Sequence, residues 1–497
     1  MDGIVGLMVP STGIMMGNAM RGWRTIGTWV AMALAFAVAP LAIAAPAPAA
    51  APADRTRIVI LSDIGNEPDD SESFVRFLLY ADQFDVEGLI ATTSTWQRDR
   101  VQPALIAERI DAYARVRANL LHHAQGYPEP SALRAVLRSG RAAYGMAGVG
   151  EGQDSDASRL LITAVDRADA RPLWVSVWGG AVDLAQALWH VRATRSPAEV
   201  DRFVSRLRVY AISDQDDAGP WIRRTFPQLF WIGSVHGWKE YSLATWNGIS
   251  GDLMRPEMGW PDADMVSNDW IDRYIRRGPL GLLYPRHSFL MEGDSPAFLY
   301  LLRTGLGDRA HPEQGSWGGR YTLSDPSAGH YGDAADRFVD DKGKPWRGNQ
   351  ATIFRWRAAM QNDFAARIGW TLTPDVRKAN HPPIVLLNAA PGDGPLHIAA
   401  QSGDSITLSA QGSRDPDGDA LAIRWWHYPE PSAILGLQPL AIADASNVVA
   451  HVTAPAVTAP TDLHFIVEVR DSGTPALTRY RRAIVTVRPR AAKDQDQ

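Results

Sequence analysis

From residue 57 onward, short apolar runs alternate with stretches whose apolar residues recur at helical spacing. Residues 57–62 include four successive apolar positions and suit a buried strand, and residues 73–80 carry the spacing of a helix. The same order returns along the chain, which predicts repeated strand–loop–helix units. The other strand candidates are residues 86–93, 172–177, 207–212 and 229–232, and the other helix candidates are residues 103–119, 155–168, 182–189 and 350–368.

These units predict an α/β fold with a doubly wound, mostly parallel sheet that is covered by helices. In such a sheet, ligands bind at the carboxyl ends of the strands. Three loops directly follow strand candidates: residues 63–70, the sequence Trp178-Gly179-Gly180, and residues 213–217. We therefore expect these three loops to meet on one rim.

The pattern changes at Asn380, where short runs with period-two alternation and turn-forming residues begin. A chain of 497 residues is long enough for two cores, because single cores stop growing at about 250–300 residues. We expect an α/β domain at residues 55–379, a small β-sandwich at residues 380–490 and a polar tail at residues 491–497. The strand candidates of the sandwich are residues 405–410, 420–426, 446–453, 462–469 and 482–487.

The loop at residues 415–419 of this second domain reads Asp-Pro-Asp-Gly-Asp. Its carboxylates could bind calcium, or the loop could make a tight turn between strands, since Asp and Gly are favoured in turns. The turn is the favoured interpretation, because three carboxylates so close in sequence do not complete a calcium cage unaided.

The N-terminal segment predicts export. An apolar run at residues 29–43 follows two arginines and ends in small residues, as in a secretory signal peptide. The run is shorter than the roughly 20 residues of a membrane-spanning helix, so we expect cleavage rather than a stable membrane anchor. The expected parts are a signal peptide at residues 1–45, cleaved near Ala44 or Ala45, and an Ala/Pro-rich linker at residues 46–54. The mature protein is then periplasmic or extracellular.

Charge and composition narrow the chemistry. The net charge is −5 and the basic residues are dispersed, which argues against a nucleic-acid partner. The chain has no cysteine, so disulfides, thiolate metal sites and cysteine nucleophiles are excluded. Without Cys ligands or paired His spacing, zinc is disfavoured and oxygen ligands remain.

The most informative segment is residues 63–70, which carries four carboxylates in eight positions. Their mutual repulsion is costly unless a cation or solvent compensates it. Calcium suits carboxylates on an irregular loop, since it accepts 6–8 oxygen ligands in flexible geometry. The structural alternative is that Asp69 and Asp70 simply complement the N-terminus of the following helix.

This segment resembles the aspartate motif that opens the inosine-uridine-preferring nucleoside hydrolases. Asp63 matches the first Asp of that motif, and Asp69 and Asp70 match its Asp pair. Residues 178–185 and 293–297 are similar to two further stretches of the family, in the same order. The resemblance covers about residues 57–310 and implies a nucleoside-hydrolase-like fold for them.

The resemblance also implies a site. Calcium would be held by Asp63, Asp70, Asp294 and the backbone carbonyl of Trp178, with Asp69 gripping a sugar hydroxyl. The family chemistry implies a nucleophilic water on that ion and Asp63 as the general base, since a cation lowers the pKa of its water and a carboxylate can take the proton.

The sequence departs from the family pattern in three places. The loop before the Asp pair is two residues longer, which adds Asn66 and Glu67. The family's Asn after the second strand is missing near Trp96, and its leaving-group His is Gly293, preceded by Glu292. The candidate substrate-binding residues are Asp69, Asn66, Glu67, Trp96, Asp216 and Asp217, and the candidate leaving-group acids are Glu292, Glu67 and Asp217.

A narrower resemblance covers the whole mature chain. Residues 63–80, 315–321 and 415–426 are similar to exported bacterial proteins that join a nucleoside-hydrolase-like domain to an immunoglobulin-like C-terminal domain and are described as cellulose-binding. From the matched Asp63, Asp69, Asp70 and Asp294 and from the predicted export, we expect a calcium-dependent glycoside hydrolase acting on a plant or microbial saccharide. The alternative is a carbohydrate-binding protein that keeps calcium only as structure, and a true nucleoside hydrolase is less favoured. A homo-oligomer is left open.

Overall fold

The computed structural model describes residues 55–236, 238–432 and 438–490, with only the backbone at residues 238 and 239. The predicted signal peptide (residues 1–45), linker (46–54) and polar tail (491–497) lie outside the described residues. Among the described residues, no helix combines the length and the apolar character that crossing a lipid bilayer requires.

A large, mostly parallel sheet forms the first part of the fold. Its strands are β1 (Thr56–Ser62), β2 (Phe84–Ala91), β3 (Leu137–Ser139), β4 (Leu173–Val177), β5 (Leu207–Ala211), β6 (Phe230–Gly233), β7 (Tyr321–Leu323) and β8 (His330–Asp333). The strand order is β3-β2-β1-β4-β5-β6-β8-β7, and only β7 runs antiparallel, against β8. The chain builds outward from β1 on one side and from β4 on the other. This is the predicted doubly wound sheet, and the order reverses between β1 and β4, where such folds bind ligands.

Strand β1 lies at the centre and is buried on both faces. Ile58 and Ile60 point to one hydrophobic core, and Val59 and Leu61 point to the other. Because successive side chains of a strand face opposite sides, a strand covered on both faces must be apolar at every position. This explains the continuous apolar run and places the residue after β1, Asp63, at the carboxyl end of the sheet.

Helices cover both faces of the sheet. They are α1 (Asp69–Leu79), α2 (Pro103–Ala114), α3 (Arg117–His123), α4 (Pro130–Ala135), α5 (Asp156–Asp166), α6 (Val182–Thr194), α7 (Pro197–Ser205), α8 (Ala218–Thr225), α9 (Asn268–Tyr274), α10 (Gly278–Gly281), α11 (Pro296–Leu299), α12 (Ala351–Phe354) and α13 (Arg357–Leu372). Two predicted helices, residues 103–119 and 350–368, are each broken into two. Helix α1 begins at Asp69, four residues earlier than predicted, so the Asp pair forms its first turn.

Short 3-10 helices connect these elements, and several follow β6 in succession. They are Ala81–Gln83, Gly145–Gly148, Trp238–Leu243, Thr245–Ile249, Gly251–Leu253, Pro256–Met258, Ala263–Val266, Pro312–Gln314 and Val376–Lys378. The segment from residue 238 to 266 is therefore compact but lacks the periodic pattern that would have revealed it in the sequence.

The C-terminal part is the predicted β-sandwich. Its strands are β11 (Leu396–Gln401), β12 (Ser405–Ser409), β13 (Leu421–Tyr428), β14 (Val449–Thr453), β15 (Thr461–Asp471) and β16 (Thr478–Arg488), preceded by a hairpin of β9 (Asp336–Val339) and β10 (Pro345–Gly348). One sheet has the order β11-β16-β15-β13 and the other pairs β12 with β14. All pairs are antiparallel except β11 with β16. Strand β11 was missed because its inward side chains are only partly buried.

The sandwich docks firmly on the α/β part. Tyr428 Oη donates to Asp336 Oδ2 at 2.5 Å, and the backbone N–H of Tyr480 donates to Thr304 O at 3.0 Å. Arg482, which is fully buried, donates from Nη2 to Gln314 O at 2.6 Å. Buried polar groups pair in this way because an unpaired one costs free energy.

Candidate functional site

The three loops that were predicted to meet at one rim do so. Beyond the strand ends, Trp178 N donates to Leu61 O at 2.8 Å and Gly180 N donates to Thr93 O at 2.8 Å. Gly179 lies directly against Asp63, since a Cβ on Gly179 would stand 2.6 Å from Asp63 Oδ1. A larger residue at Gly179 would push the Asp63 carboxylate out of place.

Four carboxylates gather at this rim, and we call Asp63, Asp69, Asp70 and Asp294 the rim cluster. Carboxylate oxygens of Asp69, Asp70 and Asp294 lie within 4.8 Å of one another. Asp63 lies close to them, since its charge raises the pKa of Asp69, Asp70 and Asp294. Asp63, Asp70 and Asp294 are 5%, 4% and 3% exposed, whereas Asp69 is half-buried. The family resemblance predicted that these four residues share one site, and in the structure their carboxylates lie near one another.

The rim cluster is electrostatically strained. Burial raises the pKa of Asp63 to about 6, although a hydrogen bond with Ser94 lowers it in part. Burial, followed by the negative charges of Glu67 and Asp63, raises the pKa of Asp69 to about 7. The pKa values of Asp70 and Asp294 are raised further, again by burial first and then by their neighbours' charges. Such crowding requires protons or a cation to compensate it.

The donor set fits a hard cation. Asp294 Oδ2 is buried and has no hydrogen-bond partner, which is costly for a carboxylate oxygen in the interior. Among the described residues, no Lys or Arg forms an ion pair with a member of the rim cluster. The charge of Asp70 acts on the buried Arg109, but the two form no ion pair, so the carboxylate oxygens remain available to a hard cation such as calcium.

The carbonyl of Trp178, the fourth predicted ligand, is also at the rim. Trp178 is fully buried, with its ring edge-on to Phe74 at 4.8 Å and its Nε1 donating to Ser176 Oγ at 2.9 Å. Its carbonyl accepts a hydrogen bond from Gln215 Nε2 at 2.7 Å. A carbonyl oxygen has two lone pairs, so this bond leaves one for another partner.

Gln215 is a rim residue that the sequence analysis missed. Its Oε1 is buried without a partner while its Nε2 binds the Trp178 carbonyl. The available signal was its position in the loop after β5, where it stands between the acidic residues Asp214 and Asp216. Gln215 therefore adds a neutral oxygen near the predicted metal ligands.

The mouth of the site is formed by Asn66, Glu67 and Trp96. Asn66 and Glu67 are exposed, and Trp96 keeps 45% of its surface exposed beside Ser94, to which its backbone N–H donates at 3.0 Å. Burial by the surrounding loops nevertheless raises the pKa of Glu67. Glu67 lies close enough to the rim cluster for its charge to raise the pKa of Asp63 and Asp69, and solvent reaches all three side chains.

The two other predicted substrate-binding residues contact backbone instead. Asp216 is buried, and its carboxylate accepts hydrogen bonds from Ala181 N at 2.9 Å and Ala218 N at 3.0 Å. Asp217 accepts one from Met146 N at 2.8 Å. Both side chains thus hold the loops that surround the rim. The substrate contact predicted for them has no support from this placement.

Glu292, predicted as a catalytic acid, is fully buried behind the rim. Its carboxylate forms an ion pair with Arg76 at 2.6 Å and accepts hydrogen bonds from Tyr284 Oη and Ser295 Oγ, both at 2.6 Å. Its backbone N–H donates to Glu72 Oε2 at 2.8 Å. Both carboxylate oxygens of Glu292 are thus engaged inside the fold, a placement that does not favour the predicted role of leaving-group acid.

Aromatic side chains fill the place where the resemblance expected a histidine. A Cβ on Gly293 would lie 3.1 Å from Asp69 Oδ2 and 3.3 Å from the ring of Trp246. Trp246 packs edge-on against Tyr241 at 5.6 Å. Tyr241 reaches Ser213 Oγ at 3.3 Å, and burial together with the charges of Asp214 and Asp63 raises its pKa to about 12. Gly293 thus makes room for an aromatic wall from the 3-10 segment after β6.

The comparisons with known proteins agree with this architecture. Residues 57–321 match the family described as cellulose-binding Sde182, nucleoside hydrolase-like domain, and residues 405–487 match the C-terminal domain of cellulose-binding protein Sde0182. No curated protein matches the chain.

Among solved structures, a nucleoside hydrolase-related hypothetical protein from Saccharophagus degradans, described as associated with carbohydrate metabolism, is 34% identical. The match has a TM-score of 0.74 and covers 87% of this chain and 100% of that one. A PKD domain from KIAA 1837 protein (20% identical, TM-score 0.16, covering 22% of this chain and 91% of that one) and the effector protein XOO4466 (11% identical, TM-score 0.26, covering 56% and 87%) are too dissimilar to support any argument. The chain therefore belongs to the cellulose-binding Sde182 family, with a nucleoside hydrolase-like domain followed by the family's C-terminal domain.

Proposed function

We propose that the protein is an exported, calcium-dependent glycoside hydrolase that acts on a plant or microbial saccharide. The observation that carries the proposal is the unpartnered, buried oxygen of Asp294 beside the carboxylates of Asp69 and Asp70. A purely structural loop would not keep four crowded carboxylates without a side-chain cation, because their repulsion lowers stability. The family's cellulose-binding name and its nucleoside hydrolase-like domain point to a sugar substrate.

Asp63, Asp70, Asp294 and the Trp178 carbonyl are the residues that would hold calcium in this proposal. Bound there, calcium would supply positive charge next to the reacting centre and lower the pKa of a water molecule. Gln215 Oε1, which lacks a partner, is a further oxygen donor for the same site. Proton transfer and contact with the sugar are assigned to side chains in this proposal.

Asp63 is the proposed general base, because its carboxylate is buried, lies beside Asp69 and Asp70, and stands at the carboxyl end of β1. Asp69 is half-buried and faces the mouth, so it is placed to accept a hydrogen bond from a sugar hydroxyl. The cluster's negative charge would also stabilise a sugar ring that becomes oxocarbenium-like as the glycosidic bond breaks.

Glu67 is the proposed leaving-group acid. It was one of three candidates, and the carboxylates of the other two, Glu292 and Asp217, are engaged by Arg76 and by Met146 N. Glu67 forms no hydrogen bond or ion pair with a described residue, and burial raises its pKa, which favours a protonated form able to donate.

A second candidate function is carbohydrate binding without catalysis. It is favoured by the placement of Glu292, a predicted leaving-group acid, whose carboxylate is engaged by Arg76, Tyr284 and Ser295. It is also favoured by the family's description as cellulose-binding. Nucleoside hydrolysis is less favoured, since Gly293 replaces the family's leaving-group His and a Cβ there would be crowded by Asp69 Oδ2 and Trp246.

The proposal is tested by incubating the full mature chain with soluble and insoluble plant polysaccharides, with calcium or with a chelator. Release of reducing ends only with calcium supports the hydrolase. Binding to the insoluble polysaccharide without product supports the second candidate, and ribose release from inosine or uridine would overturn both. Sequencing the N-terminus of the secreted protein checks the proposed cleavage near Ala44 or Ala45.

A further inference from the structure

A second acidic cluster lies in the sandwich, far along the chain from the rim. Between β12 and β13, carboxylate oxygens of Asp415, Asp417 and Asp419 lie within 4.8 Å of one another. Asp415 Oδ1 accepts hydrogen bonds from Asp417 N at 2.8 Å and Asp419 N at 3.1 Å, which makes the turn expected from the sequence. The turn alone would not indicate a ligand.

Asp471 brings a fourth carboxylate to this loop from the end of β15. Asp471 pairs with Leu421 between strands β15 and β13, and Leu421 lies two residues after Asp419 in the chain. The Asp471 side chain is 4% exposed, and its Oδ1 accepts three hydrogen bonds, from Asn380 Nδ2, Gly473 N and Leu477 N. Its Oδ2 is buried without a partner.

Asp471 lies against the same loop, because the next residue, Ser472, accepts a hydrogen bond from Ala420 N at 3.1 Å and donates one to Asp419 Oδ1 at 3.5 Å. Burial raises the pKa of Asp415, and the negative charges of Asp471 and Asp417 raise it further. Burial likewise raises the pKa of Asp471, with an added contribution from the charge of Asp419. The four carboxylates are therefore close enough to repel one another.

Asn380 adds a neutral oxygen. It is 7% exposed, and its Nδ2 donates both hydrogens, to Asp471 Oδ1 at 3.0 Å and to Pro475 O at 2.8 Å. These two bonds fix the orientation of the amide, so that Oδ1 is left buried without a donor. Gly473 packs directly against this side chain and leaves no space for a Cβ.

We propose that these five side chains form a second calcium site, which we call the joint cluster. Its members are Asp415, Asp417, Asp419, Asp471 and Asn380. They offer only carboxylate and amide oxygens, the ligands that calcium prefers, and water can complete the 6–8 ligands the ion requires. Among the described residues, no Lys or Arg forms an ion pair with the four carboxylates, and the imidazole of His381 is the side chain that pairs with Asp417.

The joint cluster connects the chain segment that follows α13 to the sandwich. Asn380 O accepts a hydrogen bond from Trp370 Nε1 of α13 at 2.9 Å, and His381 N donates to Asp417 Oδ2 at 2.7 Å. The His381 ring also stacks on Trp370, with centroids 5.1 Å apart. Calcium at the joint cluster would thus hold the segment that follows α13 against both domains.

The test is a calcium titration of the chelator-stripped full chain by calorimetry. Asp70→Asn removes the rim site from the measurement, so the remaining binding reports on the joint cluster. Adding Asp471→Asn or Asp415→Asn keeps the Oδ1 acceptor that folding uses and removes one charge. We expect each to weaken the remaining calcium affinity by about tenfold or more, since ligand charge sets affinity. The matched control is Asp462→Asn, at the exposed opposite end of β15.

The joint role has its own readout. Calcium should slow proteolysis between residues 373 and 383 in the Asp70→Asn chain, and Asp471→Asn should abolish this protection. Retention of full calcium affinity in both Asp471→Asn and Asp415→Asn would overturn the proposal. So would the absence of any calcium binding in the Asp70→Asn chain at up to about 10 mM calcium, roughly ten times the weakest Kd of extracellular modules, about 10⁻³ M.

Discussion

The loops at residues 63–70 and 415–419 are built alike but open onto different surroundings. Each gathers several carboxylates within a few residues, and each is completed by a carboxylate from far along the chain, Asp294 in the first case and Asp471 in the second. In both, the distant carboxylate is almost fully buried and has one oxygen without a partner. The donor chemistry is therefore the same at the two places.

The difference lies in what surrounds the donors. The rim loop ends a central parallel strand, with Asp69 half-buried and Glu67 exposed at the mouth. The joint loop is tied by Asn380 and His381 to the chain segment that connects the domains. Oxygen donors predict a cation at both, whereas access for a substrate distinguishes a reactive site from a structural one.

The largest effect is expected from replacing Asp63, and it tests whether the rim loop differs in function from the joint loop. We expect Asp63→Asn to reduce the release of reducing ends from polysaccharide by about 10³-fold, because an amide cannot take up a proton as a base. Asp462→Asn, on the surface of the sandwich, should leave the rate unchanged. If Asp63→Asn kept more than a tenth of the wild-type kcat/KM, the rim loop would be as structural as the joint loop.

The next effect concerns Glu292, which lies beside the distant member of the rim cluster. Replacing it with Ala would leave Arg76 buried without its partner, and breaking one side of a buried ion pair costs about 3–5 kcal/mol. We therefore expect a loss of that size in the free energy of unfolding, measured by urea denaturation. A variant with full stability but no activity would instead assign Glu292 to the reaction.

The sequence pattern alone predicted those features that depend on residues close together in the chain. Four successive apolar residues identified β1, because a strand buried on both faces has no polar position. The end of that strand then placed Asp63 at the rim. Asp294 could be added only through the family resemblance, since no spacing rule links residues so far apart.

Contacts between distant segments were not predictable. Gln215, Tyr241 and Trp246 reach the rim from a loop and a 3-10 segment without periodicity, so no pattern marks them. The turn at residues 415–419 was identified, but its buried partners Asp471 and Asn380 depend on strand register and on how the domains dock. A local pattern shows which donors are available and leaves open what completes them.

A third effect tests whether the rim accepts a nucleoside. Gly293→His would place a ring where Asp69 Oδ2 and Trp246 already stand, so we expect overpacking to cost about 1–3 kcal/mol of stability. Nucleoside hydrolysis should not appear, and saccharide release should fall. Gain of ribose release from inosine, with normal thermal stability, would show that the aromatic wall does not define the substrate.

A fourth effect concerns pH in the chelator-treated protein. The pKa values of Asp63 (about 6) and Asp69 (about 7) in the folded chain exceed the ordinary value of 3.8. At pH values between about 4 and 7, the folded state therefore binds more protons than the unfolded state. The free energy of unfolding then falls as pH rises through this range.

The check for this pH dependence is urea denaturation of the chelated wild type and of Asp63→Asn and Asp69→Asn across that range. Both variants should show a shallower decline than the wild type, because each replaces a titrating carboxyl group with an amide that does not titrate. Calcium should also reduce the decline in the wild type, since it binds the ionised carboxylates. Equal slopes in all three chains would mean that the rim cluster is not strained in the metal-free protein.

The smallest effect concerns Trp96, which is 45% exposed at the mouth of the rim site. Aromatic faces offer large, rigid apolar area to a sugar ring, so Trp96→Ala should weaken binding to insoluble polysaccharide by about three- to tenfold, worth about 1 kcal/mol. Stability should change by less than about 1 kcal/mol, as is usual for exposed positions. The matched control is Val339→Ala, an exposed apolar residue on β9. If Trp96→Ala bound polysaccharide as well as Val339→Ala, the saccharide contact would have to lie away from the rim, and the contrast between a reactive rim loop and a structural joint loop would lose its basis in substrate access.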